Sequence, residues 1–168
     1  MKTIVTYLAI VFLVLTSCKE NRPSKVEREG EPNVYNVEND DAKMNEAIER
    51  ANNSIQEFTT ALESDNPNLD FFALKQKFET NDGGSEHIWV QDIQLIDSDF
   101  IGIVGNEPVY TNAIALGDTI TVDRDKISDW MYYENNLIVG GYTIRVLRDG
   151  LTEEEKAQFD AENGLLFK

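Results

Sequence analysis

The sequence predicts an α+β fold: an N-terminal amphipathic helix packed on a curved antiparallel sheet, with short C-terminal helices. Three observations predict it. Apolar residues recur at three- and four-residue steps from Met44 to Leu62, the period of one helical face. Short strand-like runs punctuated by Asp, Asn, Gly and Pro turns fill residues 72–139. Thr152 and Glu155 then form a capping box ahead of a last short helix. Strands grouped between flanking helices, instead of alternating with them, are the mark of an α+β domain.

Met1 and Lys2 give the chain a positive start, residues 4–15 are apolar apart from Thr6, and Leu15-Thr16-Ser17-Cys18 follows. This is the layout of a signal peptide. Spanning the hydrocarbon core takes roughly 20 mostly apolar residues, and the run stops short of that at Lys19-Glu20. The four residues ending at Cys18 resemble the bacterial lipobox. The resemblance implies acylation of Cys18 and loss of residues 1–17 as a lipoprotein signal peptide. One acyl chain holds only marginally, at about 0.8 kcal/mol per buried methylene, so stable anchoring implies several. Lys19 stands where Asp would favour inner-membrane retention, and the expected location is the cell envelope, at the outer membrane, facing the periplasm or the surface. Cys18 is the only cysteine; once acylated it leaves none for disulfides, zinc-cysteine sites or thiol nucleophiles.

Residues 18–41 are expected to form the lipidated cysteine and a disordered tether, because Val26, Val34, Tyr35 and Val37 are too scattered among charged residues to build a core. A flexible stretch of about 23 residues reaches about 25 Å by random-coil scaling. Residues 42–163 remain as a single domain. The 15 basic residues face 31 acidic ones, for a net charge of −16. Nucleic acid is excluded as a partner, since phosphate binding needs the opposite sign. The charge suits solubility and repulsion from an anionic membrane surface, or docking of a basic protein partner.

Met44, Ala47, Ile48, Ala51, Ile55, Phe58 and Leu62 form the helical stripe, which Asn39, Asp40 or Asp41 can cap. Asp65-Asn66-Pro67-Asn68 ends it. Phe72, Leu74 and Phe78 then share one face of an extended run, Asn81-Asp82-Gly83-Gly84 turns it, and Trp89, Ile93 and Leu95 share one face of the next, a hairpin signature. Further strands are expected at residues 100–104, 119–122, 128–133 and 137–139, in an antiparallel meander. Residues 141–147 suit helix and strand equally. The last helix runs to Phe159 or Ala161, with Asn163-Gly164 as its stop.

Several pieces of the sheet region carry a family resemblance. Glu86-His87-Ile88-Trp89, Asn106-Glu107-Pro108-Val109, Gly117-Asp118-Thr119-Ile120, Ile127-Ser128-Asp129-Trp130-Met131-Tyr132 and Gly140-Gly141-Tyr142-Thr143-Ile144-Arg145 resemble, in order and spacing, the YegJ-like family, domain of unknown function 2314. The resemblance covers residues 71–159. It implies a shared fold and no assigned activity.

Chemistry has few places to reside. Glu86 and His87 are neighbours on a strand, so their side chains point to opposite faces, and His87 shares a face with Trp89. A single histidine and no remaining cysteine exclude a histidine-rich metal centre. Asp97-Ser98-Asp99 imitates the opening of a calcium loop, but Ile101 and Pro108 stand where the fifth and twelfth ligands belong, which leaves a β-turn. Ser54, Ser64, Ser85, Ser98 and Ser128 occur without a nucleophile elbow, and no glycine-rich phosphate loop exists. Asp129-Trp130-Met131-Tyr132 is the densest cluster of unusual residue types. It reads as a core tryptophan with Asp129 accepting backbone or indole hydrogen bonds. Alternatively, it reads as a ligand pocket in which Trp89, Trp130 and Tyr132 supply apolar walls and Glu86, Asn106 and Asp129 supply polar groups, with His87 as a proton-transfer group. No cofactor and no metal are expected. The expected function is a lipid-anchored cell-envelope domain that binds without catalysing. Its alternatives are a hydrolase-like enzyme using Glu86, His87 and Asp129, and an acidic neutralising partner of a basic protein.

Overall fold

A computed structural model describes residues 41–164 and 166–167, together with residues 24–26 and 34–36. Residues 1–17, Cys18 and most of the expected tether lie outside the described residues. Two pieces of that tether stretch, Ser24–Val26 (β1) and Val34–Asn36 (β2), pair antiparallel.

Among the described residues the domain is α+β, with four α-helices and an open six-stranded antiparallel sheet. The first helix, α1 (Ala42–Asn53), is capped by Asp41, whose carboxylate accepts from the amides of Lys43 and Met44. The stripe predicted as one helix is divided at Ser54, after which α2 spans Ile55–Leu62. The Ser54 hydroxyl lies 2.8 Å from the Arg50 carbonyl and accepts from the Trp130 indole. A side chain that competes for helix carbonyls and serves a tertiary donor breaks the helix there.

The sheet comprises β3 (Leu69–Glu79), β4 (Ser85–Ile96), β5 (Asp99–Val104), β6 (Thr119–Thr121), β7 (Ile127–Glu134) and β8 (Leu137–Gly140). Its order is β6-β5-β4-β3-β7-β8. The expected meander therefore holds from β3 to β6 and from β7 to β8, but the chain crosses back between them so that β7 lies beside β3. A 3-10 turn at Arg124–Lys126 makes the return, fixed by Gln76, whose side-chain oxygen accepts from the Asp123 amide. Asp97-Ser98 and Asn135-Asn136 form two-residue hairpin loops, all four residues at positive φ; their backbone twist matches that of the strands they join.

Two irregularities decide which side chains face where. Asp92, at φ 54°, sits in a register shift between Gln91 and Gln94. It puts Ile93 and Leu95 on the same face as Val90, and Trp89 on the other. The expected shared face of Trp89, Ile93 and Leu95 is thereby corrected: strict alternation fails across a bulge. A second shift, between Asp70 and Ala73, holds Phe71 at φ 49°.

The main core lies between the sheet and the α1–α2 pair. Phe58 sits at its centre, with the rings of Phe72, Phe100 and Trp130 at 5.7, 5.8 and 5.9 Å. Ala47 and Ala51 are small enough to bring α1 onto the sheet, where the Trp130 indole donates to the Ala51 carbonyl at 2.9 Å. On the other face, Ala73, Met131, Ile138, Ile144 and Phe159 form a smaller core under α3 (Tyr142–Asp149) and α4 (Glu153–Asn163). The ambiguous residues 141–147 are mostly α3. The Thr152–Glu155 capping box starts α4, and Gly164 ends it.

Candidate functional site

Strand pairing assembles a polar cluster on the α3 face of the sheet. Lys75 on β3 lies opposite Asp129 of β7 on one side and opposite Trp89 of β4 on the other, and Lys77 lies opposite His87. Directly paired residues share a face, so Lys75, His87, Trp89 and Asp129 converge. Ser128 is the extra residue of β7 at the register shift between Lys75 and Gln76.

Asp129 is completely buried. One carboxylate oxygen accepts from the amides of Trp130 and Tyr142 at 2.8 and 3.0 Å. The other accepts from the amide and hydroxyl of Thr143 at 2.8 and 2.6 Å. Tyr142 and Thr143 open α3, whose N-cap position is Gly141 and carries no side-chain cap. A carboxylate from the neighbouring strand thus supplies the cap and the negative charge that a helix N-terminus favours. Gly140 makes this junction possible: at φ 76°, a Cβ there would lie 2.3 Å from the Trp130 carbonyl oxygen.

The Thr143 hydroxyl links two charges. It donates to Asp129 and accepts from the Lys75 ammonium at 2.8 Å, which also lies over the Trp89 ring at 4.7 Å. Burial pushes the Asp129 carboxyl up, opposed by Lys75 and by the Thr143 and Trp130 donors. Four donors aimed at two oxygens fit the ionised form, because an acid proton would need an acceptor. Burial pulls the Lys75 amine down, opposed by Asp129. His87 Nδ1 lies 2.8 Å from the Ser128 hydroxyl, which is 3.3 Å from the Lys75 carbonyl. Burial and the charges of Lys75 and Lys77 lower the His87 pKa to about 4, so its imidazole is neutral at pH 7. A neutral imidazole hydrogen-bonded to a hydroxyl is able to accept its proton.

The sheet divides the other expected pocket residues. Trp130 and Tyr132 lie in the main core, stacked at 5.9 Å, on the face opposite His87 and Trp89. Glu86 is buried and binds loop 105–118: its carboxylate accepts from the amides of Val109, Tyr110 and Thr111 at 2.7 to 3.0 Å. The Asn106 side-chain oxygen accepts from the Trp89 amide at 2.9 Å. Of the seven residues expected to line a pocket (Glu86, His87, Trp89, Asn106, Asp129, Trp130 and Tyr132), three therefore meet at the polar cluster: His87, Trp89 and Asp129. Lys75, Ser128 and Thr143 complete that cluster and were not singled out from the sequence. The available signal was Lys75 itself, a cation directly behind Phe71-Phe72-Ala73-Leu74 and two residues before Lys77. Among the described residues, no group of three His, Cys, Asp or Glu is placed to hold a metal ion, and no helix is long and apolar enough to cross a membrane.

Comparison with known proteins gives this architecture a family. The chain is 34% identical to a putative ankyrin repeat protein of Neisseria meningitidis, over 82% of the chain and 57% of that protein, so it spans little more than half of that relative. It is 31% identical to the uncharacterized protein YegJ of Escherichia coli, over 73% of the chain and 78% of YegJ. No solved structure gives a significant match. The family model described as "Uncharacterized protein conserved in bacteria (DUF2314)" matches residues 41–167, which span Asp41 at the α1 cap, both cores, the Asp129 cluster and the Glu86 clamp. The resemblance of the sheet region to the YegJ-like family is thus borne out, and the chain belongs to the DUF2314 family.

Proposed function

We propose that this chain is a lipid-anchored domain of the bacterial cell envelope, held through Cys18, that acts by binding a basic protein partner and not by catalysis. One observation carries the non-catalytic reading. Both buried carboxylates that acid-base chemistry would draw on, Glu86 and Asp129, have their oxygens engaged by amide or hydroxyl donors of their own chain. Groups held this way orient a loop and a helix. The lipobox resemblance of residues 15–18 supports the anchor, and the net charge of −16 supports a basic partner.

A hydrolase-like reading is favoured by one distance, the 2.8 Å between His87 Nδ1 and the Ser128 hydroxyl. Against it, Ser128 is 2% exposed, which keeps a substrate carbonyl from its oxygen.

Labelling of growing cells with radioactive palmitate tests the anchor: wild type takes up label and Cys18→Ala does not, whereas equal labelling refutes it. Affinity capture from native membranes at low and high salt tests the partner. A basic protein retained at low salt and released at high salt is expected. A fluorophosphonate probe that modified Ser128 would overturn the non-catalytic reading.

A further inference from the structure

Phe71 is the inserted residue of the β3 bulge. The bulge turns Phe72 into the main core against Tyr132, at 5.2 Å, and leaves Phe71 on the other face at φ 49°. A positive φ is strained for a bulky side chain, and Gly or Asn takes it with less strain. Phe71 lies outside both cores, and the residue is 43% exposed. The ring lies against Tyr133 at 5.2 Å and 30°, and Asp70, exposed, pairs directly with Tyr133 in the ladder. A strained backbone that displays an aromatic ring beside a carboxylate points to use of that ring.

We propose that Phe71, Tyr133 and Asp70 form a docking platform for an arginine side chain of a basic protein, an inference that rests on the basic-partner reading above. The guanidinium stacks on the open face of Phe71, as arginine does on aromatic rings, and the Asp70 carboxylate accepts from its N–H groups. The chain's net charge of −16 brings a cationic partner to the surface.

The test uses the full-length protein in uncharged detergent micelles, with labelled Phe and Tyr rings observed by NMR. Titration with Gly-Arg-Gly amide is expected to shift the Phe71 and Tyr133 resonances, and the citrulline counterpart is expected to leave them in place. Phe71→Gly is expected to bind nona-arginine about fivefold more weakly, as loss of one cation–π contact implies, with a Tm no lower than wild type. Absence of the shift overturns the platform, and so does a lowered Tm in Phe71→Gly, which would make the ring a packing element. If wild type and Phe71→Gly bind nona-arginine alike, the platform fails while the basic-partner reading stands. If wild type binds neither peptide, both fail.

Discussion

Replacing Asp129 with Asn removes one charge and almost no volume, so it tests the charged hydrogen bonding that joins β7 to α3 without opening a cavity. The carboxylate satisfies four donors at 2.6 to 3.0 Å. Asn keeps one acceptor oxygen and turns an N–H₂ group toward the remaining donors. Two buried donors lose their partner, at about 1–3 kcal/mol each. The Lys75 ammonium, whose charge Asp129 favours, also loses its counter-charge, which adds to the cost. A net loss of about 3 kcal/mol follows. At roughly 3–4 °C per kcal/mol for a domain of this size, Tm falls by about 10 °C. Urea unfolding followed by tryptophan fluorescence reads both the midpoint and its slope. A destabilisation below about 0.5 kcal/mol, within the range of an ordinary surface substitution, would refute the assignment of Asp129 as the cap of α3. Thr143→Val is the companion: it leaves Lys75 and Asp129 each short of one partner, and a double-mutant cycle with Asp129→Asn should show coupling.

His87 gives a pH prediction. Its pKa is lowered from 6.5 to about 4, so the unfolded chain takes up a proton before the folded one. Stability is therefore full above pH 6.5, declines as pH falls toward 4, and levels off below; the loss is of order 1–3 kcal/mol. His87→Asn, which can preserve the contact to Ser128, should flatten the stability–pH curve in that window. Gly140→Ala would press a methyl group onto the Trp130 carbonyl and ring, the nearest atoms lying at 2.3 and 2.5 Å, at positive φ; a loss of about 3 kcal/mol or failure to accumulate is expected. Glu86→Gln leaves one acceptor for the three amides of residues 109–111. Limited proteolysis should cut loop 105–118 faster while Tm falls only a few degrees, by about 1–2 kcal/mol.

Local signals in the sequence carried far. The capping box at Thr152, the Asp41 cap and the strands after Gly84 follow from residue chemistry within a few positions, and the structure keeps them. What escaped depends on distant partners. The crossing from β6 to β7 needs Gln76 to meet Asp123, and the break at Ser54 needs the Trp130 indole; neither contact leaves a periodic trace. The Asp92 bulge inverted the face of Trp89 because alternation carries no mark for one inserted residue. At the candidate site, the dense Asp129–Tyr132 stretch pointed to the right strand. Its neighbours on opposite faces belong to different environments, however: Asp129 caps a helix on one side while Trp130 and Tyr132 fill the core on the other. Lys75 and Thr143 became visible as partners only when the ladder placed them together.

The sheet order also sets a sequence of events during folding. β3 bonds to β4 through a tight turn, but its other edge waits for β7, whose Ser128 meets the Lys75 carbonyl across 53 positions of chain. Local hairpins close in microseconds, and such a distant pairing is slower because the intervening loop must first be gathered. Until β7 arrives, β3 presents an unpaired central edge able to join a second chain. The residues that end this interval are the ones that close the sheet: Asp129, by tying the arriving strand to α3, and Trp130, by locking it under α1.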